Sequence, residues 1–175
     1  MKGMIWVAVG VGLLGCASVQ TQGDYDTNYD FSSLRTWDWM SEPSTTQGTT
    51  GRPNPLVGRR IEEAIERELT TKGYQRVQDG SPDFRVAFFA SAEDKLDVST
   101  TYDYYGYRWR TVAVPRTDVR EYTEGTLIID IVDGNRNELA WRGTATGTLR
   151  NAGPEESTER INNAVRDVLE DFPPQ

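Results

Sequence analysis

The order of helical and strand patterns of hydrophobic residues along this chain constrains its fold more than any other feature. Asn54-Pro55 is typical of a helix start, and the helical pattern that follows it ends near Lys72. A second helical pattern begins at Gly153-Pro154 and ends before Pro173. The apolar stripes of these two predicted helices consist of Val57, Ile61, Ala64, Ile65 and Leu69 in the first, and of Ile161, Ala164, Val165, Val168, Leu169 and Phe172 in the second.

Strand patterns precede the first helix and fill the space between the two. Residues 34–39 are rich in β-forming types, and residues 83–91 are apolar on most of both faces, which is typical of a central strand. Residues 121–132 and 139–149 alternate, and the turn signal Asp133-Gly134-Asn135 between them predicts a hairpin. The fold class that follows is α+β, a two-layer sandwich in which two helices pack on one face of a mostly antiparallel sheet. We expect residues 41–53 to form a surface loop, residues 92–97 to be turn-like, and Trp37, Trp39 and Trp141 to lie in the core.

The N-terminus has the layout of a bacterial lipoprotein signal. Lys2 gives a positive start, an apolar run extends to Leu14, and Gly15 precedes Cys16, the only cysteine of the chain. The run is about half of the roughly 20 residues that a membrane-spanning helix needs, so a permanent span is not expected. Cys16 is the predicted lipidation site, and the acyl chains on it would anchor the protein in a bilayer. The alternative is an ordinary secretory signal that has a cysteine near its end by chance.

This interpretation divides the chain into three parts. Residues 1–15 are a cleaved signal peptide, residues 16–23 are the lipidated cysteine and a short tether, and residues 24–175 are a single α+β domain. Ala17 follows the cysteine, where an Asp commonly retains Gram-negative lipoproteins at the inner membrane. We therefore expect an outer-membrane lipid anchor and a domain that faces the periplasm.

The charge balance argues against some classes of partner. The full chain has a formal net charge of −8, and removal of the signal also removes Lys2, which leaves the mature chain at −9. Such a surface repels phosphate backbones, so nucleic acid is not an expected partner. With Cys16 committed to lipid, no thiol remains for a disulfide, and the domain has to be stabilised by packing alone.

The residues that most enzymes need are missing. The chain has no His, which removes the usual general base and most zinc sites, and it has no Gly-x-Ser-x-Gly motif or phosphate-binding glycine-rich loop. Its 27 acidic residues leave a carboxylate-dependent glycan hydrolase chemically open, although the sequence singles out no pair. We assign no catalytic residue and no cofactor.

One acidic run has the spacing with which a calcium loop begins. Asp24, Asp26, Asn28 and Asp30 alternate, but Tyr29 and Arg35 occupy the sixth and twelfth positions, where an EF-hand requires Gly and Glu. We therefore predict a turn that leads into the first strand and assign no metal site, with a nonstandard cation site as the alternative.

A tyrosine-rich segment is the best candidate for binding a partner. Residues 102–110 concentrate aromatic rings beside arginines, which are the types enriched in interface hot spots and suited to sugar rings. The candidate partner-binding residues are Tyr102, Tyr104, Tyr105, Tyr107, Trp109 and Arg110. The alternative is a purely structural β-hairpin with Gly106 at its bend and the aromatic rings paired across strands.

The ordered set of segments resembles a known family. It comprises the lipobox, DYDTNYDFSSLRTWDW, PLVGRRIEEAIERELTTKGY, SPDFRVAFFAS, GTLIIDIVDGNRNELAWRGTA and INNAVRDVLEDFPPQ. Together these are similar to the bacterial envelope lipoproteins that carry domain of unknown function 4136, over nearly the whole mature chain. The resemblance implies a lipidated, periplasm-facing α+β domain without established catalytic residues.

The expected function is therefore non-catalytic. We expect a role in binding or envelope assembly, with the membrane contacted through the N-terminal lipid and an envelope protein or cell-wall glycan as the partner. A purely structural envelope lipoprotein and a carboxylate-dependent glycan hydrolase remain as alternatives.

Overall fold

The computed structural model describes residues 19–40, 55–78, 80–107 and 110–174, without the side chains of 103–107 and 110–112. The predicted signal peptide at 1–15, Cys16 and the predicted loop at 41–53 lie outside these ranges. The elements, in chain order, are β1 (Gln20–Tyr25), a 3-10 turn (Phe31–Ser33), β2 (Thr36–Trp39), α1 (Pro55–Thr71), β3 (Gln75–Arg76), β4 (Phe84–Tyr107), β5 (Arg110–Asp133), β6 (Leu139–Leu149) and α2 (Pro154–Leu169).

The strands of the described residues form one six-stranded sheet in the order β1-β6-β5-β4-β2-β3. The pairs β1–β6, β6–β5 and β5–β4 are antiparallel, whereas β2 runs parallel to both β3 and β4. The parallel pair β2–β3 follows from its connection, because α1 carries the chain back to the end of the sheet where β2 began. The prediction of a mostly antiparallel sheet with two helices is confirmed.

Both helices begin where their sequence patterns predict and α1 ends close to the predicted position, but α2 ends at Leu169, so that Phe172, predicted to belong to its apolar stripe, lies beyond the helix. Pro55 opens α1, Gly73 follows it with a φ of 92°, and Pro154 opens α2 with Glu155 and Glu156 in its first turn. Neither helix of the described residues is both long and apolar enough to span a bilayer.

The core combines the apolar stripes of both helices with alternate residues of the central strands. Ile65 and Leu69 of α1 and Val165 and Leu169 of α2 are fully buried. From the sheet come Phe84, Val86 and Phe88 of β4, Leu127, Ile129 and Ile131 of β5, and Trp141 and Ala145 of β6. The prediction that the tryptophans lie in the core is confirmed for Trp37 and Trp141, which are buried, whereas Trp39 is partly buried and packs against the same cluster.

The predicted tether is too long at its C-terminal end. Residues 20–23 belong to β1, which pairs with β6 from Gln20↔Thr146 to Tyr25↔Trp141. All six β1 residues are exposed, so the strand is held by its backbone ladder, a contribution that leaves no apolar pattern in the sequence.

Two further predictions are wrong, and both concern the length of the β4–β5 hairpin. Residues 92–97, expected to be turn-like, continue β4, and Gly106, expected at the bend, pairs with Thr111 inside the ladder. The connection between the strands lies at residues 108 and 109, outside the described ranges. Pairing with residues 120–125 of β5 outweighs the weak strand propensity of the charged residues in this part of β4.

Candidate functional site

The β4–β5 hairpin extends far beyond the sheet that contains it. Its ladder runs from Phe84↔Asp133 to Tyr107↔Arg110 without a register shift. On the outer side of β4, β2 pairs with residues 84–86 alone, and on the outer side of β5, β6 pairs with residues 123–132. We call residues 92–107 of β4 and 110–123 of β5 the arm. For nearly all of this length, no third strand of the described residues accompanies the two.

Such an arm is unusual for a monomer in water. An isolated two-stranded ribbon is marginally stable, and its two open edges present unpaired backbone groups to any chain that approaches. Pro115 lies in β5 within the arm, in keeping with the confinement of strand prolines to edges and bulges. The presence of Pro115 therefore fits a strand whose outer edge stays unpaired.

The two faces of the arm differ sharply in chemistry. Paired residues of an antiparallel ladder share a face, and Phe84, Val86 and Phe88 of β4 point into the core. We call the continuation of this face along the arm the inner face. Its described members are Ala92, Asp94, Leu96, Val98, Thr100 and Tyr102 of β4, and Ala113, Pro115, Thr117, Val119, Glu121 and Thr123 of β5.

The inner face is apolar along its middle, and it is uncovered. Leu96 is 63% exposed, Val98 and Tyr102 are each 59% exposed, and Val119, directly opposite Val98, is 56% exposed. Charged groups occur on the described inner face only near its base, at Asp94 and Glu121. The result is an apolar stripe that continues the core-facing side of the sheet into solvent.

The opposite face, which we call the outer face, is mostly polar over residues 93–101 and 116–124 and carries its own ion pairs, and nearer the tip it includes Val114, which is 45% exposed. Lys95 forms an ion pair with Glu124, and the hydrogen bond between them raises the pKa of the Lys95 ammonium. Arg120 lies 4.0 Å from the Asp118 carboxylate. This face has the mixed charges of an ordinary solvated surface.

A concave surface lies where the arm leaves the sheet. It encloses about 640 Å³ and is lined by Gln20, Asp97, Arg120, Glu121, Tyr122, Glu124, Thr146, Gly147 and Thr148. The N-terminal end of β1 and the base of the arm are thus neighbours. Three carboxylates line the concavity, but Glu124 is paired with Lys95 and Asp97 lies opposite Arg120 in the ladder.

The predicted site residues fall on and beyond this arm. The side chain of Tyr102 is exposed on the inner face. The backbones of Tyr104, Tyr105, Tyr107 and Arg110 lie in the ladder, but their side chains are outside the described residues, as are Trp109 and Cys16 entirely. The structure therefore adds an exposed apolar stripe beside the predicted segment.

Leu96, Val98 and Val119 are the residues that the sequence analysis did not single out. The alternation of Leu96, Val98, Thr100 and Tyr102 is itself a strand signal. The charged residues between them favoured a turn instead. Among the described residues, no group of three side chains could hold a metal ion. Asp24 lies in β1, and only the later part of the acidic run forms turns, in which Asp26 and Asp30 accept hydrogen bonds from the backbone N–H groups of Asn28 and Ser32.

Comparison with solved structures gives similarity at the level of the fold. A PDZ domain protein from Parabacteroides distasonis matches with a TM-score of 0.59 and 18% identity over 90% of this chain. The match covers 36% of that protein, so the chain spans about a third of its length. Two crystal forms of the PelC dodecamer from Paraburkholderia phytofirmans match with a TM-score of 0.49 and 12% identity, over 87% of this chain and 95% of PelC.

No curated protein sequence matches the chain. A family model does, and it covers residues 21–174, which include every helix and nearly all of every strand described above. The chain therefore belongs to the family defined by the domain of unknown function DUF4136.

Proposed function

We propose that this protein is a lipid-anchored, periplasm-facing envelope domain that acts without catalysis, by binding through its arm. The observation that carries the proposal is the uncovered apolar inner face, because soluble monomers rarely expose a contiguous apolar patch of more than a few hundred Å². Open strand edges beside that face add a second means of holding a partner, through backbone hydrogen bonds.

The position of the N-terminus supports a link between the arm and the membrane. β1 runs antiparallel to β6, so its first residue, Gln20, lies opposite Thr146, three positions before Leu149, which pairs with Thr123 at the arm base. A Cβ atom on Gly147 would lie 3.6 Å from Cγ2 of Val19, which places Val19 beside the end of β6. Cys16 precedes Val19 by three residues, a reach of about 10 Å. Acyl chains on Cys16 would therefore hold the arm end of the sheet near the outer membrane.

A two-layer arrangement with both helices on one face of the sheet is part of the same proposal. The strand residues that join the core alternate along β4 and β5, and they share one buried cluster with the apolar stripes of α1 and α2. A single layer of two helices packed on one face of the sheet would account for a buried cluster to which both helices and strands contribute. The arm then extends the helix-bearing face beyond the helices that cover it.

Anchoring is tested on the full chain produced in a Gram-negative envelope. We expect the mature protein to have the mass of a chain beginning at acylated Cys16, and Cys16→Ser to move it from the membrane fraction to the soluble periplasmic fraction. An unmodified thiol, or a Cys16→Ser chain that stays in the membrane, would overturn the anchor.

Binding through the arm is tested with a photoreactive phenylalanine derivative at Tyr102. The matched control places the same group at Tyr25, a second exposed tyrosine that lies on β1 of the sheet. We expect irradiation of membranes to give specific adducts from position 102 and none from position 25. A folded, correctly localised protein without adducts at position 102 would contradict the binding role.

A further inference from the structure

We infer that the inner face of the arm packs against the same face of a second copy of this chain, so that two arms form a face-to-face β-sandwich. The inference rests on the proposal that the arm is an interaction element and names its partner. The observation behind it is the apolar stripe of Leu96, Val98 and Tyr102, which the described residues leave uncovered.

The chemistry of the inner face suits a copy of itself. Its middle consists of Val98 and Thr100 on β4, paired with Val119 and Thr117 on β5, and these are small β-branched side chains without charge. Two such faces related by a twofold axis bring apolar and hydroxyl groups together without burying an unpaired charge. Asp94 and Glu121 lie at the base, away from the middle of the stripe, where they remain in solvent.

The spacing between two packed sheets also matches the thickness of a layer of helices. Two sheets pack face to face about 10 Å apart, and an α-helix with its side chains is about 10–12 Å across. On the proposed two-layer arrangement, helices cover the core-facing side of the sheet in each copy and leave the arm bare. The arm of the second copy would lie in the same layer as these helices, beside them. The helices of either copy would therefore not obstruct the contact between the two arms.

The area is that of a weak, reversible contact. Beyond the Leu96↔Glu121 pair, β4 residues 98–107 span about 35 Å, and two strands are about 10 Å wide. The projected contact is therefore about 350 Å² on each copy, or about 700 Å² in total, which lies at the low end of protein interfaces, where contacts are transient.

A second copy also fits better than a lipid surface. Unpaired backbone groups along both arm edges are costly in hydrocarbon, which excludes deep insertion of an open ribbon. The carboxylates of Asp94 and Glu121 are the charged groups of the described inner face, and they repel anionic headgroups.

The test compares two adjacent residues on opposite faces of the arm, in the full chain purified from membranes in detergent. By sedimentation velocity at about 100 μM we expect the unchanged chain to be a dimer. Val98→Lys, on the inner face, is expected to weaken dimerisation at least about tenfold, because it buries an ammonium group in the contact. Ser99→Lys adds the same charge on the outer face and is expected to leave the dimer unchanged.

Disulfide trapping gives a second readout in case Val98→Lys fails to fold. Under mild oxidation, we expect Thr100→Cys, near the middle of the inner face, to form covalent dimers above the background of the chain that has Cys16 alone. Thr101→Cys, on the outer face, is expected to remain at that background. Equal trapping at both positions, or a monomeric unchanged chain at about 100 μM, would overturn the pairing of arms.

These outcomes separate the pairing of arms from the proposed binding role. A monomeric chain that still gives Tyr102 photo-adducts with another envelope protein, with glycan or with lipid would refute pairing and keep the arm as an interaction element. The lack of both dimers and adducts would refute both.

Discussion

Arg142 holds the carboxylate of Asp130 through two hydrogen bonds of 2.6 Å, from Nε to Oδ1 and from the guanidinium Nη2 to Oδ2. The two residues are direct neighbours in the β5–β6 ladder, and Asp130 is buried. The described ion-pair partner of the buried Asp130 carboxylate is therefore Arg142.

Loss of that partner is expected to be costly. Arg142→Met removes both hydrogen bonds and leaves a buried carboxylate unsatisfied, so we expect the free energy of unfolding to fall by about 1–3 kcal/mol. Arg120→Met is the matched control, because its ion pair with Asp118 is longer and highly exposed, and we expect it to change stability by less than about 1 kcal/mol. Urea unfolding measures both, and equal effects would contradict the assigned role of Arg142.

Two glycine substitutions are expected to change stability in opposite directions. A Cβ atom on Gly134 would lie 1.8 Å from the carbonyl oxygen of Pro82, so Gly134→Ala forces the β5–β6 turn away from the start of β4. We expect it to destabilise the protein by about 1–3 kcal/mol or more. Gly58 is inside α1 with no described atom near its Cβ position, and Gly58→Ala is expected to stabilise by about 0.5–1 kcal/mol. Thermal unfolding of the two variants checks the signs.

Phe172 closes the core beyond the end of α2. Its ring lies 5.3 Å from Trp141, 5.6 Å from Tyr74 and 5.8 Å from Phe84, measured between ring centroids, and it is fully buried. Phe172→Ala is expected to destabilise the protein by about 3–5 kcal/mol through lost burial and a cavity. Leu139→Ala, at a half-exposed position, is the control, with an expected loss nearer 1 kcal/mol. Similar midpoints of urea unfolding for the two variants would refute the role of Phe172.

Asp83 makes stability depend on acid pH. Its Oδ2 accepts hydrogen bonds from the backbone N–H of Thr36 at 2.8 Å and of Arg35 at 2.9 Å, and these hold the pKa of the carboxyl below its usual range. A lowered folded-state pKa means that the contribution is complete above the unfolded-state pKa near 4 and is lost as the pH falls through the folded-state value. We expect Asp83→Asn to cost about 1–3 kcal/mol at pH 7 and progressively less below about pH 4. A stability difference that stays constant from pH 7 to pH 3 would contradict this linkage.

The arm is expected to be dispensable for folding of the body. The described residues of 95–122 pair with one another in the ladder and lie outside the core cluster. Replacing residues 95–122 by an Asn-Gly turn should therefore leave the free energy of unfolding within about 1 kcal/mol, since two-residue Asn-Gly loops suit hairpins and a two-stranded ribbon adds little stability. Circular dichroism and urea unfolding of the shortened chain are the measurement, and a shortened chain that fails to fold would show that the arm supports the core.

The sequence by itself determined the two helices and the identity of the core. The stripe that ends in Leu69 lies within α1, the second stripe lies within α2 except for Phe172, and Trp37 and Trp141 are buried as predicted. These features depend on local periodicity and side-chain hydrophobicity, which nearby residues specify. The turn at Asp133-Gly134-Asn135 belongs to the same class, because it depends on the conformational preferences of the turn residues themselves.

Tertiary structure alone decided β1, the parallel pairing of β2 with β4, and the length of the arm. Gln20 pairs with Thr146, more than 120 positions away, and six exposed residues carry no apolar signal of that pairing. The arm crosses the charged residues Glu93, Asp94, Lys95 and Asp97, whose local preference is for turns, and it forms because each of them has a register partner on β5. Strand pairing depends on backbone hydrogen bonds between distant segments, and those bonds are the same for every side chain, so the register becomes visible only when the sheet is assembled.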